Sequence, residues 1–161
     1  MDVELNQEQQ AFAQVAREFA QGELAPNAAR WDQECIFPTE TFKRAGELGF
    51  CGLYAPTKMG GLGLTRLDAT VVFEELAAVD PSTAAFLTIH NMAAWMVGTW
   101  GSDAVLDEFG ADLASGAILA SYCLTEPNAG SDAQSLQTSA EYRDGSYVLN
   151  GAKAFISGAG E

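Results

Sequence analysis

The chain has 161 residues and a mass of 17.1 kDa, room for one ordinary domain or for a domain and part of a second. Apolar residues make up 48% and charged residues 19%, which permits a packed core and excludes wholesale disorder. Eight Lys and Arg against 22 Asp and Glu leave a net charge of −14, a surface that repels nucleic acid and anionic lipid.

Other classes fall on single residue types. No apolar run approaches the ~20 residues of a membrane span. Met1-Asp2-Val3-Glu4 is acidic and lacks the basic start of a signal or transit peptide, so a soluble intracellular protein is expected. Cys35, Cys51 and Cys123 are odd in number and form no CxxC pair, so a disulfide framework or zinc site is not expected. All three are read as buried, reduced thiols. His90 is the only histidine, and no GxSxG elbow accompanies it.

From about Asn6 to Gly110 the period is helical. Asn6 followed by Gln9 has the form of a capping box. Phe12, Val15, Ala16 and Phe19 then recur at three- and four-residue spacing, an amphipathic helix that stops before Pro26. A short helix follows toward Trp31, and another covers Glu40–Leu48, ended by Gly49. Ala55–Gly63 carries too many glycines for a helix and reads as a loop. Leu67–Val79 is the next helix, broken by Asp80-Pro81-Ser82. Glu74 and Glu75 in its middle read as a solvated or paired face. Thr83–Val97 is apolar around most of its circumference, a central helix buried on several sides. Ser102 or Asp103 caps a last helix through Phe109. Trp31, Trp95 and Trp100 read as core or domain-packing residues.

After Gly116 the period changes. Ala117–Leu124 looks like a buried strand. Gln137–Tyr142, Asp144-Gly145 and Tyr147–Leu149 read as a hairpin with a tight turn. Asn150-Gly151 reads as a second turn and Lys153–Ile156 as a further strand, with Lys153 on an exposed polar face. The fold class is α+β: an all-α domain over residues 1–115, then the start of an antiparallel β domain over residues 116–161. A sheet of about three strands with open edges is weak alone, so more chain is expected after Glu161.

Tyr122–Asp132 carries the chemistry. A strand runs into the Glu126-Pro127 turn, then a small-residue loop ending Gly130-Ser131-Asp132. Such a loop lets backbone N–H groups and the Ser131 hydroxyl approach phosphate oxygens without a lysine. Thr125 offers one hydroxyl that donates or accepts, suited to the edge of a heteroaromatic ring. An ordinary surface turn capped by Asp132 is the competing reading of the same residues.

These residues resemble the acyl-CoA dehydrogenase family. Tyr122-Cys123-Leu124-Thr125-Glu126-Pro127 with Gly130-Ser131-Asp132 is similar to that family's first signature, and Leu149–Ser157 to its second. The Gly60-Gly61-Leu62-Gly63 loop and the helix order before it also fit, so the resemblance spans essentially the whole chain. Phe155 and Ser157 stand where most members carry Trp and Thr, a variant similar to the isobutyryl-CoA, short branched-chain branch.

The resemblance implies FAD as cofactor and α,β-dehydrogenation of an acyl-CoA thioester as the reaction. It places Tyr122, Cys123, Leu124 and Thr125 along the flavin ring, with Gly130 and Ser131 in the glycine-containing loop. Ser131 falls between the FAD pyrophosphate and the pantetheine arm of the substrate. Phe155, Ile156 and Ser157 pack on and hydrogen-bond the flavin. Phe86, Leu87, His90 and Ala94 become candidates for the floor of the acyl pocket, against the plainer reading of His90 as a core histidine with a hydrogen-bond partner. An electron-transfer flavoprotein as acceptor, a homotetramer, and a bacterial cytoplasmic or mitochondrial matrix location follow from the same resemblance.

The family's catalytic glutamate comes from a C-terminal helical domain, and nothing here matches it. Glu126 reads as structural. The chain is therefore expected to be an inactive fragment, its FAD site completed by the missing half and a neighbouring subunit. An acyl-CoA oxidase or related flavin oxidase of the same fold, or a non-catalytic flavin- or CoA-binding or interaction fragment pairing through its open β edge, remains the alternative.

Overall fold

Six α-helices and one hairpin occur among the residues described, 4–160, in the computed structural model of the chain. The chain divides into two compact units, one ending at Ala120 and the other beginning at Ser121.

Helix α1 spans Gln7–Phe19. Asn6 Oδ1 accepts from the Gln9 amide at 2.8 Å and the Gln9 side chain accepts from the Asn6 amide at 3.1 Å, so two orphan donors are met reciprocally. The chain then widens into a π-helical turn over Ala20–Leu24, closed by the Ala25 amide on the Ala20 carbonyl at 2.9 Å, just before Pro26. Helix α2 covers Ala28–Glu34 and stops at Cys35, which takes a left-handed φ of 54°. Helix α3 covers Thr39–Glu47, followed by Gly49 at φ 80°.

Helix α4 spans Arg66–Ala77 and opens with a second capping box, Thr65 and Asp68. Asp80 is both the break after α4 and the cap of α5, Pro81–Trp100; its carboxylate accepts from the Ser82 amide at 3.1 Å and the Thr83 hydroxyl at 2.5 Å. Pro81 opens α5, where a missing N–H costs nothing. Ser102 caps α6, Asp103–Ser115, which runs past Phe109 to end at Gly116 in the left-handed region.

Helix α1 packs on α4, α4 on α5 and α5 on α6. The larger core cluster includes Phe19, Leu24, Trp31, Phe42, Phe50, Leu53, Leu76, Phe86 and Leu87. Each such side chain contributes about 1.5–3 kcal/mol through removal from water. The rings of Phe37, Phe42 and Phe86 meet with centroids 4.5–4.9 Å apart. A smaller cluster joins Ala55, Met59, Ala94, Leu113 and Ala114. Helix α3 crosses α6 at Gly46, where an added Cβ would stand 2.0 Å from the Ser115 carbonyl oxygen, so only glycine permits the approach.

The second unit holds one hairpin, β1 Ser139–Arg143 and β2 Ser146–Asn150, paired antiparallel from Ser139↔Asn150 to Arg143↔Ser146. Asp144 and Gly145 both take positive φ, 49° and 85°, the signature of the tight turn expected there.

Several expectations change. Ala117–Leu124 is not a strand, because no neighbouring segment supplies a ladder among the described residues; its extended chain bonds singly instead. Lys153–Ile156 is likewise not a strand, and the sheet has two strands rather than three. Asn150 ends β2, so Asn150-Gly151 is not a turn. Gly151 instead passes tightly over Thr138, where a Cβ would lie 2.3 Å from Oγ1. Cys51 is buried, but Cys35 and Cys123 are exposed; all three are free thiols. Trp31 is buried and Trp95 packs on the core, whereas Trp100 is 67% exposed, its ring 4.9 Å from that of Trp95.

Candidate functional site

The two candidate segments of the second unit run side by side. The Ala154 amide donates to the Thr125 carbonyl at 2.9 Å, and the Ser121 hydroxyl donates to the Ser157 carbonyl. Between these ties lie Tyr122, Leu124 and Thr125, half-buried, and Cys123, exposed. Opposite them lie Ile156 and Ser157, half-buried, and Phe155, which is 95% exposed and held at φ 56°. A bulky aromatic in that backbone region with no protein packed on it is unusual on both counts.

Beyond Thr125 the chain folds back at Pro127-Asn128. Glu126 and Ala129 exchange both backbone bonds across this turn, at 3.0 and 3.1 Å. Gly130 and Ser131 follow, exposed, and a Cβ added at Gly130 would meet nothing within 4 Å. The loop backbone there is open to approach. Asp132 accepts from the Ser135 hydroxyl at 2.5 Å.

Glu126 anchors this loop, in the structural role expected for it. Its carboxylate accepts from the Gln137 amide at 2.7 Å, the Thr138 amide at 3.0 Å and the Lys153 ammonium at 2.8 Å. Lys153, foremost, with the Thr138 side chain and these amides holds the carboxyl down at about 2. Lys153 is therefore not a free surface lysine: it also donates to the Leu124 carbonyl at 3.1 Å. The Thr138 hydroxyl oxygen is buried beside this knot without a hydrogen bond of ordinary geometry.

In the helical unit, Phe86, Leu87, His90 and Ala94 lie along α5 and are buried. His90 has no exposed surface. Its Nδ1 accepts from the Ala120 amide at 3.0 Å, which leaves the proton on Nε2 to donate to the Leu113 carbonyl, also at 3.0 Å. Burial pushes its pKa below the ordinary value, so the ring is neutral. Glu75 on α4 accepts from Arg17 Nε and Nη2 of α1, at 2.9 and 2.5 Å. Glu74 is exposed. Among the described residues there is no cluster of three metal-ligating side chains, and no helix is long and apolar enough to cross a membrane.

Residues 6–117 match the model of the acyl-CoA dehydrogenase N-terminal domain, and residues 121–161 match that of the acyl-CoA dehydrogenase middle domain. The chain belongs to the acyl-CoA dehydrogenase family. It is 48% identical to the mitochondrial isobutyryl-CoA dehydrogenase of Bos taurus over 157 residues, which is 98% of this chain and 38% of that protein. The butyryl-CoA dehydrogenase of Megasphaera elsdenii superposes with a TM-score of 0.87 at 36% identity, covering 97% of this chain and 42% of that one. An acyl-CoA dehydrogenase of Bacillus anthracis, solved in complex with FAD, superposes with a TM-score of 0.85 at 29% identity, over 95% and 27% of the two chains. The chain thus spans about two fifths of its isobutyryl-CoA dehydrogenase relative. Family members are FAD-dependent oxidoreductases.

The sequence singled out both segments but missed what joins them. Lys153, Glu126 and the Gln137–Thr138 amides were legible only as scattered polar residues. The available signal was scarcity: Lys153 is one of two cations from Ser121 onward, and a scarce cation flanked by alanines is a candidate for a fixed partner.

Proposed function

We propose that this chain supplies the flavin-facing N-terminal part of an acyl-CoA dehydrogenase acting on a short branched thioester of the isobutyryl-CoA class. The observation that carries the reading is the Thr125–Ala154 bond beside the exposed Phe155 ring, which sets a flat aromatic face next to unspent donors. The donor set fits FAD. Lys153 is committed to Glu126, so the cradle offers amides, hydroxyls and an aromatic surface, suited to a polarisable ring carrying a pyrophosphate tail.

FAD held by these residues would supply the two-electron acceptor for the β-hydrogen of the thioester, with the α-proton taken by a carboxylate. Tyr122, Cys123, Leu124 and Thr125 orient the ring, with the Thr125 hydroxyl and amide as its hydrogen-bond donors. Phe155 and Ile156 cover it and exclude water, and Ser157 adds a hydroxyl. Gly130 and Ser131 receive the pyrophosphate and the pantetheine arm, where the open loop allows close approach. Phe86, Leu87, His90 and Ala94 set the depth of the acyl pocket through bulk, since the His90 nitrogens are both spent on backbone.

The α-proton base is assigned to a glutamate outside these 161 residues. The Glu126 carboxylate is committed to Lys153 and to the Gln137 and Thr138 amides, and Glu75 is committed to Arg17. An electron-transfer flavoprotein is the proposed acceptor, a homotetramer the proposed assembly of the whole protein, and the bacterial cytoplasm or mitochondrial matrix its proposed location. Quenching of FAD fluorescence by the 161-residue chain, together with an isobutyryl-CoA assay using a dye acceptor, tests these assignments. Binding without turnover is expected. Robust turnover by this chain alone refutes the assignment of the base, and absence of quenching both by this chain and by the full-length protein refutes the cradle.

A further inference from the structure

The second unit contains two cations, Arg143 and Lys153. Arg143 pairs with Glu141 on the exposed hairpin. Lys153 is spent differently. It and Glu126 are both sheltered, with 25% and 6% of their side chains exposed, and they meet at 2.8 Å. One ion pair thereby ties three stretches that are distant in sequence. Lys153 reaches the Leu124 carbonyl, and Glu126 reaches the Gln137 and Thr138 amides.

The placement of the pair matters more than its existence. Thr125 lies between Leu124 and Glu126, both of which the pair holds. Phe155 lies two residues after Lys153, and the intervening Ala154 amide is bonded to the Thr125 carbonyl. Gly151 passes so close to Thr138 that no side chain fits between them. The pair therefore holds the residues that flank Thr125 and lead into Phe155, alongside the Ser121–Ser157 tie and in place of a sheet ladder, which the segment lacks. Charge-assisted bonds suit the task, since they are shorter and stronger than neutral ones. A sheltered pair also fixes geometry as groups outside a ligand shell commonly do.

We propose that Glu126 and Lys153 are positioning residues for the flavin: they do not touch it, but hold Thr125 and Phe155–Ser157 at the separation and angle the ring requires. This rests on the reading of those residues as flavin contacts. Neutralising either member leaves the other charge sheltered and unmatched and releases the Leu124 carbonyl or the 137–138 amides.

The test compares the 161-residue chain with E126Q, K153M and K153R. Without cofactor, amide hydrogen exchange at Gln137, Thr138 and Ala154 is expected to quicken in E126Q and K153M and to stay near wild type in K153R, which keeps the cation. With FAD added, both neutral variants are expected to bind about tenfold more weakly or worse, the loss of one charged hydrogen bond. At saturating FAD their visible absorbance and circular dichroism bands are expected to shift, which lower stability alone does not cause. K153R is expected to recover most of both effects. Wild-type protection at Ala154 in E126Q overturns the clamp. Unchanged FAD affinity and spectrum in E126Q, with exchange quickened, overturn the positioning role and leave a structural pair. Absence of FAD binding both by the 161-residue chain and by the full-length protein overturns the flavin reading itself, and the positioning role with it, whatever the exchange shows; where only the full-length protein binds, the same variants are compared in it.

Discussion

The Asn91 side chain bridges α5 to the Phe50–Leu53 turn from both of its ends. Its Oδ1 accepts from the Leu53 amide at 2.8 Å, and its Nδ2 donates to the Phe50 carbonyl at 2.7 Å and the Leu87 carbonyl at 2.9 Å. The residue has no exposed surface. The 50–56 segment has no helix or strand of its own, so this amide stands in for secondary structure.

Replacing Asn91 with leucine keeps the bulk and removes three bonds. The Leu53 amide and Phe50 carbonyl lose partners in a place water does not reach. Each orphan costs about 1–3 kcal/mol, so a loss of about 3 kcal/mol is expected for N91L. Urea unfolding followed by far-UV circular dichroism reads it directly. A midpoint within error of wild type would show that the turn is held by packing alone.

His90 carries a pH signature. Its folded pKa lies below the ordinary 6.5 because burial penalises the charged ring. The unfolded chain therefore binds the proton more readily than the folded one. The stabilisation is complete above about 6.5 and is lost as pH falls through that value toward the folded pKa. Wild type is expected to lose stability from pH 7 to pH 5. H90Q, which has no titrating ring, is expected to lose less over the same range. Unfolding midpoints at four or five pH values decide it, and parallel curves would contradict the buried neutral ring.

Glu126 titrates in a separate window. Its folded carboxyl is held at about 2, below the ordinary 4.5, by Lys153 first and by the Thr138 side chain and the neighbouring amides next. The folded state binds its proton less readily than the unfolded one. Its contribution is present above about 4.5 and lost as pH falls toward 2. Exchange at the Gln137 and Thr138 amides is expected to keep its protection down to about pH 4 and to lose it only below. Loss of protection already at pH 5 would mean that the carboxylate is not paired as described.

What the sequence made legible follows from locality. Asn6 with Gln9 and Asp144 with Gly145 each encode a cap or turn within four residues and formed as expected, while Asp80-Pro81-Ser82 broke α4 as expected but opened α5 at Pro81 rather than at Thr83. The helical order and the hairpin followed from such signals and from the spacing of apolar residues. The Ala117–Leu124 strand failed because an apolar run states a wish for burial but cannot name the neighbour that would pair with it. Cys123 failed for the same reason: burial belongs to the partners of a residue, not to its type. At the candidate site both segments were legible as motifs, whereas the Glu126–Lys153 tie between them spans 27 residues and leaves no local trace.

Gly151 offers the sharpest local test of how the two segments are spaced. A Cβ there would stand 2.3 Å from the Thr138 hydroxyl oxygen and 2.8 Å from its Cα, and a backbone atom cannot rotate aside as a side-chain tip can. G151A is therefore expected to push the 151–154 stretch off Thr138 at a cost of about 1–3 kcal/mol, the usual range for overpacking. The displacement lies within the second unit, so the effect should be confined to it. Amides around Thr138 and Ala154 should exchange faster, while those of α1, α4 and α5 stay as in wild type. G46A supplies the opposite pattern, since its Cβ would meet the Ser115 carbonyl at 2.0 Å inside the helical unit. If G151A leaves the Ala154 amide as protected as before, the close crossing does not set the spacing of Thr125 and Phe155, and the hydrogen bond between Ala154 and Thr125 alone must suffice.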